Sequence, residues 1–124
     1  MAGLSKHLQD GDKAETYAAD FLQSKGLQLL HKNFSSAGGE IDLIMQDRED
    51  LVFVEVRLRN NTAYGSAVES VNYYKQNKII RTGLYYMQKQ RLLYRVNCRF
   101  DIVGISTGVS GPEIEWVKNA FSPR

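Results

Sequence analysis

The chain has 124 residues, enough for one compact domain that buries a core without staples, and its 43% apolar and 24% charged content excludes a disordered chain. No apolar run nears the roughly 20 residues of a membrane span, residues 1–7 lack the apolar stretch of a secretory signal, and one cysteine with two histidines supplies neither an internal disulfide nor a zinc cluster, so a cytoplasmic setting with no membrane partner is expected. A net charge of +2 permits nucleic-acid binding without requiring it.

Residues 1–11 are polar and read as a mobile N-terminal segment, with a single domain over 12–124. Asp12, followed three residues later by Glu15, is a plausible N-cap, and Ala14, Tyr17, Ala18, Phe21 and Leu22 recur at helical spacing until Gly26 stops the run. Residues 27–34 form a first strand, 38–39 a glycine turn, 40–46 a second strand of alternating acids and apolar residues, and 51–58 a valine-rich third strand after a polar turn. A loop over 60–65 leads to a helix over about 71–90, with Ile79, Gly83, Tyr86 and Met87 as its buried stripe. Residues 96–106 and 114–118 are the last two strands, separated by a turn over 107–112. The fold class is therefore α/β, a mixed β-sheet flanked by helices in the order α-β-β-β-α-β-β, with the second helix long enough for a parallel crossover.

Strand alternation places the acids. Glu40 and Asp42 share one face of their strand, with Ile41 and Leu43 on the other, while Glu55 and Arg57 share a face opposite Val52, Val54 and Val56. A hairpin between these strands sets Asp42 beside Glu55, and a carboxylate among valines costs free energy unless a cation or donor satisfies it. A hard divalent cation such as Mg²⁺ relieves the repulsion of two acids and activates water against a phosphodiester, with Arg57 two residues from Glu55 to stabilise the developing charge. The competing reading of the same residues is a salt-bridge ladder in which Asp42 or Glu55 pairs with Arg57 across strands.

Secondary residues have two readings each. Residues 57–99 carry nine basic side chains against one acid, Glu69, and within that stretch Lys75 and Lys78 lie one turn apart, a spacing suited to successive phosphates, with Arg59 as a further border of the groove. The alternative is a solvated basic face. Glu15 completes the acidic site or caps its helix, Glu40 is a reserve ligand or a solvated acid, and the loop with Tyr64 and Gly65 borders the groove or merely connects. Asp101 reads as an ion-pair partner of Arg99, and Cys98 as a buried, inert thiol. Trp116, the seven tyrosines and His31 read as core or rim, and His7 carries no assignment.

Gly39-Glu40-Ile41-Asp42-Leu43-Ile44, Val52-Phe53-Val54-Glu55-Val56-Arg57-Leu58-Arg59, Tyr64-Gly65-Ser66, Lys75, Arg99-Phe100-Asp101 and Glu115 to Phe121 resemble the YraN-type bacterial family, from about Gly11 to the C-terminus. That family is similar to archaeal Holliday junction resolvases and has a restriction-endonuclease-like fold. The resemblance implies a nuclease site of the PD-(D/E)xK type, DNA as substrate, branched or processed DNA included, and Mg²⁺ or Mn²⁺ as cofactor. It also implies a catalytic set on Glu15, Asp42, Glu55 and position 57, and the homodimer usual among the resolvases. The family pattern has lysine where this chain has Arg57. Arginine clamps phosphate but does not lose its proton, so general-base chemistry at 57 is lost while substrate binding is kept. Two other readings remain, a catalytically silent nucleic-acid-binding module and an interaction protein whose acidic strand pair is salt-bridged.

Overall fold

The computed structural model describes residues 11–59, 67–108 and 111–123. The expected segment 1–11, except Gly11, and the loop residues Tyr64 and Gly65 lie outside the described residues, as does His7. Helix α1 spans Gly11–Ser24 and is followed by β1 (Gln28–Ser36), β2 (Gly39–Asp47) and β3 (Asp50–Arg59). Helix α2 (Tyr73–Lys89) then leads to β4 (Cys98–Gly108) and β5 (Gly111–Phe121). The strands form one sheet in the order β1-β2-β3-β4-β5. β1, β2 and β3 pair antiparallel, β3 and β4 parallel, and β4 and β5 antiparallel. This is the mixed α/β sheet and element order that the sequence leads one to expect, with α2 as the parallel crossover.

The two faces of the sheet are covered by different helices. Ala14, Ala18, Ala19 and Leu22 of α1 pack with Leu43, Met45, Val52, Val54, Val103 and Ile105. Ile79, Ile80 and Met87 of α2 pack with Ile44, Phe53, Phe100 and Ile102 on the other side. Burying those three α2 side chains contributes about 1.5–3 kcal/mol each, which outweighs the roughly 1 kcal/mol that Gly83 costs inside the helix. Gly83 is needed there because a Cβ would come within 3.0–3.1 Å of the Phe100 and Phe53 rings. Phe53 and Phe100 stack on each other at 5.3 Å beneath it.

Two expectations change. β5 runs over eleven residues instead of the five expected, with Pro112 inside it opposite Thr107. An edge strand tolerates proline because one row of its N–H groups has no ladder partner to lose. The alternation assumed for residues 40–43 also fails, since Ile41 packs with the α2 layer and Leu43 with the α1 layer. Asn33 on β1 has φ 55°, and the β1–β2 register passes from Lys32–Leu43 to Phe34–Ile41 across it. This left-handed residue, uncommon in a strand, falls opposite Asp42, where the alternation of β2 breaks. No described helix is long and apolar enough to cross a membrane.

Candidate functional site

Asp42 stands where the β2–β3 ladder ends. Leu43 pairs with Val54, and one step further the N–H of Val56 donates to Asp42 Oδ2 at 2.8 Å. From this break Asp42 meets an acid of each layer, sharing hydrogen bonds with Glu15 of α1 and Glu55 of β3. Burial and then the Glu55 charge push the Asp42 carboxyl up to about 8, against the Val56 N–H, which lowers it. Burial also raises Glu15, opposed by its hydrogen bonds with Asp42 and Asn33. Glu15 Oε1 is buried and has no hydrogen-bond partner. Three of the acids expected to act together are therefore in contact.

Glu55 is only 3% exposed, as its place among valines requires, and it is satisfied chiefly from α2. Lys75 Nζ lies 2.7 Å from Glu55 Oε2, whereas Arg57 Nη1 is 3.5 Å from the same oxygen. Arg57 is held elsewhere, its Nε donating to Ser70 Oγ and its Nη2 to the Ser70 carbonyl, each at 3.1 Å. Of the salt-bridge ladder expected as the competing reading, the Glu55–Arg57 pair is present at 3.5 Å and an Asp42–Arg57 pair is absent among the described ion pairs, while the closer cation, the Lys75 ammonium, comes from the helix. Lys75 is aimed there by the start of α2, where the Asn72 side chain accepts from Lys75 N at 2.8 Å. Asn72→Ala should cost about 1 kcal/mol of stability, read as a lower midpoint in urea unfolding.

A cleft of about 440 Å³ is lined by Glu40, Asp42, Glu55, Tyr74, Lys75 and Lys78, among others. Lys78 also sits 5.3 Å from the Tyr74 ring centroid. Arg59 ends β3, and Arg57 does not line this cleft. A larger cleft of about 960 Å³ surrounds the β2–β3 turn, where Lys25, Arg48, Arg99 and Lys118 are interspersed with Asp47, Glu49 and Asp50. Size does not make it the stronger candidate, because its charges offset one another and the nearby Asp101 is fully engaged. Asp101 is 0% exposed and accepts from Arg99 Nε, Trp116 Nε1 and Asn119 N, a structural knot of the kind expected for the Arg99 pair. Cys98 is half-buried, short of the full burial expected, and burial and Asp50 push its thiol up, away from reactivity. His31 lies edge-on to Phe34 at the surface.

Among the described residues no three His, Cys, Asp or Glu side chains already surround a common centre as metal ligands do. The acids lean on one another and on Lys75. The donor set nevertheless suits a hard divalent cation: carboxylate oxygens from three elements, one of them buried without a partner, and one carboxyl whose charge burial and Glu55 disfavour. Sequence reasoning missed Ser70, Asn72 and Asn33. Only Asn72 left a signal, an asparagine just before a helical run.

Sheet and cleft together define an α/β domain with an acidic, lysine-bearing pocket where β2 and β3 part. The chain belongs to the uncharacterised protein family UPF0102, whose profile matches residues 14–105, in keeping with the bacterial family its motifs resemble. It is 44% identical over 119 residues to a UPF0102 protein of Saccharophagus degradans, covering 96% of this chain and 98% of that one. It is 47% identical over 111 residues to one of Coxiella burnetii, covering 90% of each. Among solved structures, the SfsA protein of Pyrococcus furiosus in complex with Ca²⁺ aligns with a TM-score of 0.39 at 9% identity, over 86% of this chain and 60% of that one, too distant to bear on function.

Proposed function

We propose that this protein is a divalent-metal-dependent nuclease that hydrolyses DNA phosphodiesters in the cleft between Asp42 and Lys75. The observation that carries the reading is the contact of Glu15, Asp42 and Glu55 from three separate elements, with Glu15 Oε1 buried and unpartnered and the Lys75 ammonium on Glu55. Asp42 and Glu55, with Glu15 behind them, would hold Mg²⁺ or Mn²⁺. Such a cation supplies Lewis-acid stabilisation of phosphate and a lowered pKa for water. Lys75, at the mouth of the same cleft, offsets charge that builds on the phosphate, and Glu55 keeps its Nζ in place. Arg57 holds Ser70 and hence the chain that enters α2. Lys78 and Arg59 are the proposed phosphate contacts outside the reacting group.

The test is hydrolysis of labelled duplex, flap and four-way DNA with Mg²⁺ or Mn²⁺ by the wild type and Asp42→Asn. Cleavage by the wild type that falls at least a hundredfold in the variant, together with loss of Mn²⁺ binding by calorimetry, is expected. DNA binding with no cleavage of any substrate by the wild type leaves the silent-module reading in its place.

A further inference from the structure

The acidic cleft does not end at Lys78. It adjoins a second, more open cleft of about 660 Å³, and the two share Gly39, Glu40, Tyr74 and Lys78. The outer cleft adds Ser35, Ser36 and Arg81. Its width is set by backbone, because a Cβ on Gly39 would lie 3.0 Å from Thr82 Oγ1 and 3.4 Å from Lys78 Cβ, so the β1–β2 turn rests on α2. Tyr74 stands at the junction with 69% of its surface exposed, although Lys78 approaches its ring. Glu40 is the one acid among the described residues lining the outer cleft, against Lys78 and Arg81.

From this juxtaposition we infer that the site takes DNA with an unpaired segment next to the bond to be cut, one base stacking on Tyr74 and its phosphate meeting Lys78 and Arg81. The inference rests on the nuclease reading for which bond is cut, but not for the binding it describes. An exposed aromatic ring beside two cations matches what a single strand offers, a base face and a phosphate in each repeat. A fully paired duplex offers the phosphates but keeps its base faces stacked inside, so it gains little from the ring. Tyr74 thereby becomes a selector between paired and unpaired substrate. The hydroxyls of Ser35 and Ser36 are further donors on the path.

Binding is read by fluorescence anisotropy, in EDTA so that nothing is cut, with a forked DNA bearing a single-stranded arm and a blunt duplex of equal length. The wild type should prefer the fork. Tyr74→Ala should weaken fork binding about tenfold and leave the duplex within about twofold, while Tyr74→Phe keeps the preference. Because Tyr74 is exposed, the variants should melt with the wild type, which a thermal scan checks. Equal losses on both DNAs, or none on either, overturn the inference. Asp42→Asn separates it from the nuclease reading: a kept fork preference supports stacking even if no protein cuts, and cleavage without any Tyr74-dependent preference removes the stacking alone.

Discussion

Asp42→Asn is expected to stabilise the metal-free protein at pH 8, by on the order of 2–4 kcal/mol, and to leave its stability at pH 4 nearly unchanged. In the folded chain the Asp42 carboxyl holds its proton up to about pH 8, against an ordinary value of 3.8, because burial and then Glu55 disfavour its charge. Between those limits the folded state binds a proton that the unfolded state has released, so the Asp42 contribution to stability falls as pH rises from about 4 to about 8. Each unit is nominally about 1.4 kcal/mol, and local relaxation and water at this half-buried side chain reduce the total. Asparagine keeps an oxygen for the Val56 N–H and an NH₂ to donate to a neighbouring acid, without a charge to desolvate. Urea unfolding in EDTA at pH 4, 6 and 8 checks this. A variant less stable than the wild type at pH 8 would make Asp42 an ionised structural partner and remove the main reason to place a cation beside it. Saturating Mn²⁺ should raise the wild-type midpoint at pH 8 and leave that of the variant where it is, since only the wild type gains a ligand.

The parts of the structure readable from the sequence were those fixed by periodicity over several residues. Val52, Val54 and Val56 announce a strand face, and with it the opposite placement of Glu55 and Arg57. The four-residue turn at 47–50 announces the hairpin, and so the nearness of Asp42 to Glu55. The failures have local or long-range causes. The alternation of β2 breaks at Asp42, across from the left-handed Asn33 of β1, and nothing in the composition of Ile41 and Leu43 signals that they enter different layers. The length of β5 was hidden by Pro112, which reads as a turn until the strand is known to be an edge. The partner of Glu55 was hidden more deeply. Spacing along a strand identifies Arg57 as a neighbour, but Lys75 is twenty residues away, and only the packing of α2 on the sheet brings it to 2.7 Å. Contact order of that kind is set by tertiary packing and has no local signature.

On the proposed nuclease reading, Lys75, the cation nearest to Glu55, would do the work expected of a lysine on β3, and its replacement should have the largest effect on catalysis of any basic residue here. Lys75→Met is expected to lower DNA hydrolysis on the order of a hundredfold, the range seen when one fixed donor to a transition-state charge is lost, with Lys75→Arg recovering part of it. Arg57→Lys should change cleavage less than tenfold and show its effect mainly in stability, because the guanidinium's two bonds to Ser70 are what a lysine cannot reproduce. Hydrogen bonds to a charged group contribute about 1.5–3 kcal/mol each, and partial replacement by the ammonium leaves an expected loss of about 1–2 kcal/mol. Removing Lys75 also leaves the buried Glu55 with the more distant Arg57, so some loss of stability will accompany the loss of rate, and the arginine variant separates the two. Single-turnover rates at saturating cation, alongside urea midpoints for each variant, distinguish the roles. Wild-type cleavage by Lys75→Met, combined with a faster or pH-shifted reaction in Arg57→Lys, would return the working cation to β3. A rate that follows Lys75 while stability follows Arg57 would mean that the strand arginine positions α2 and the helix lysine meets the phosphate.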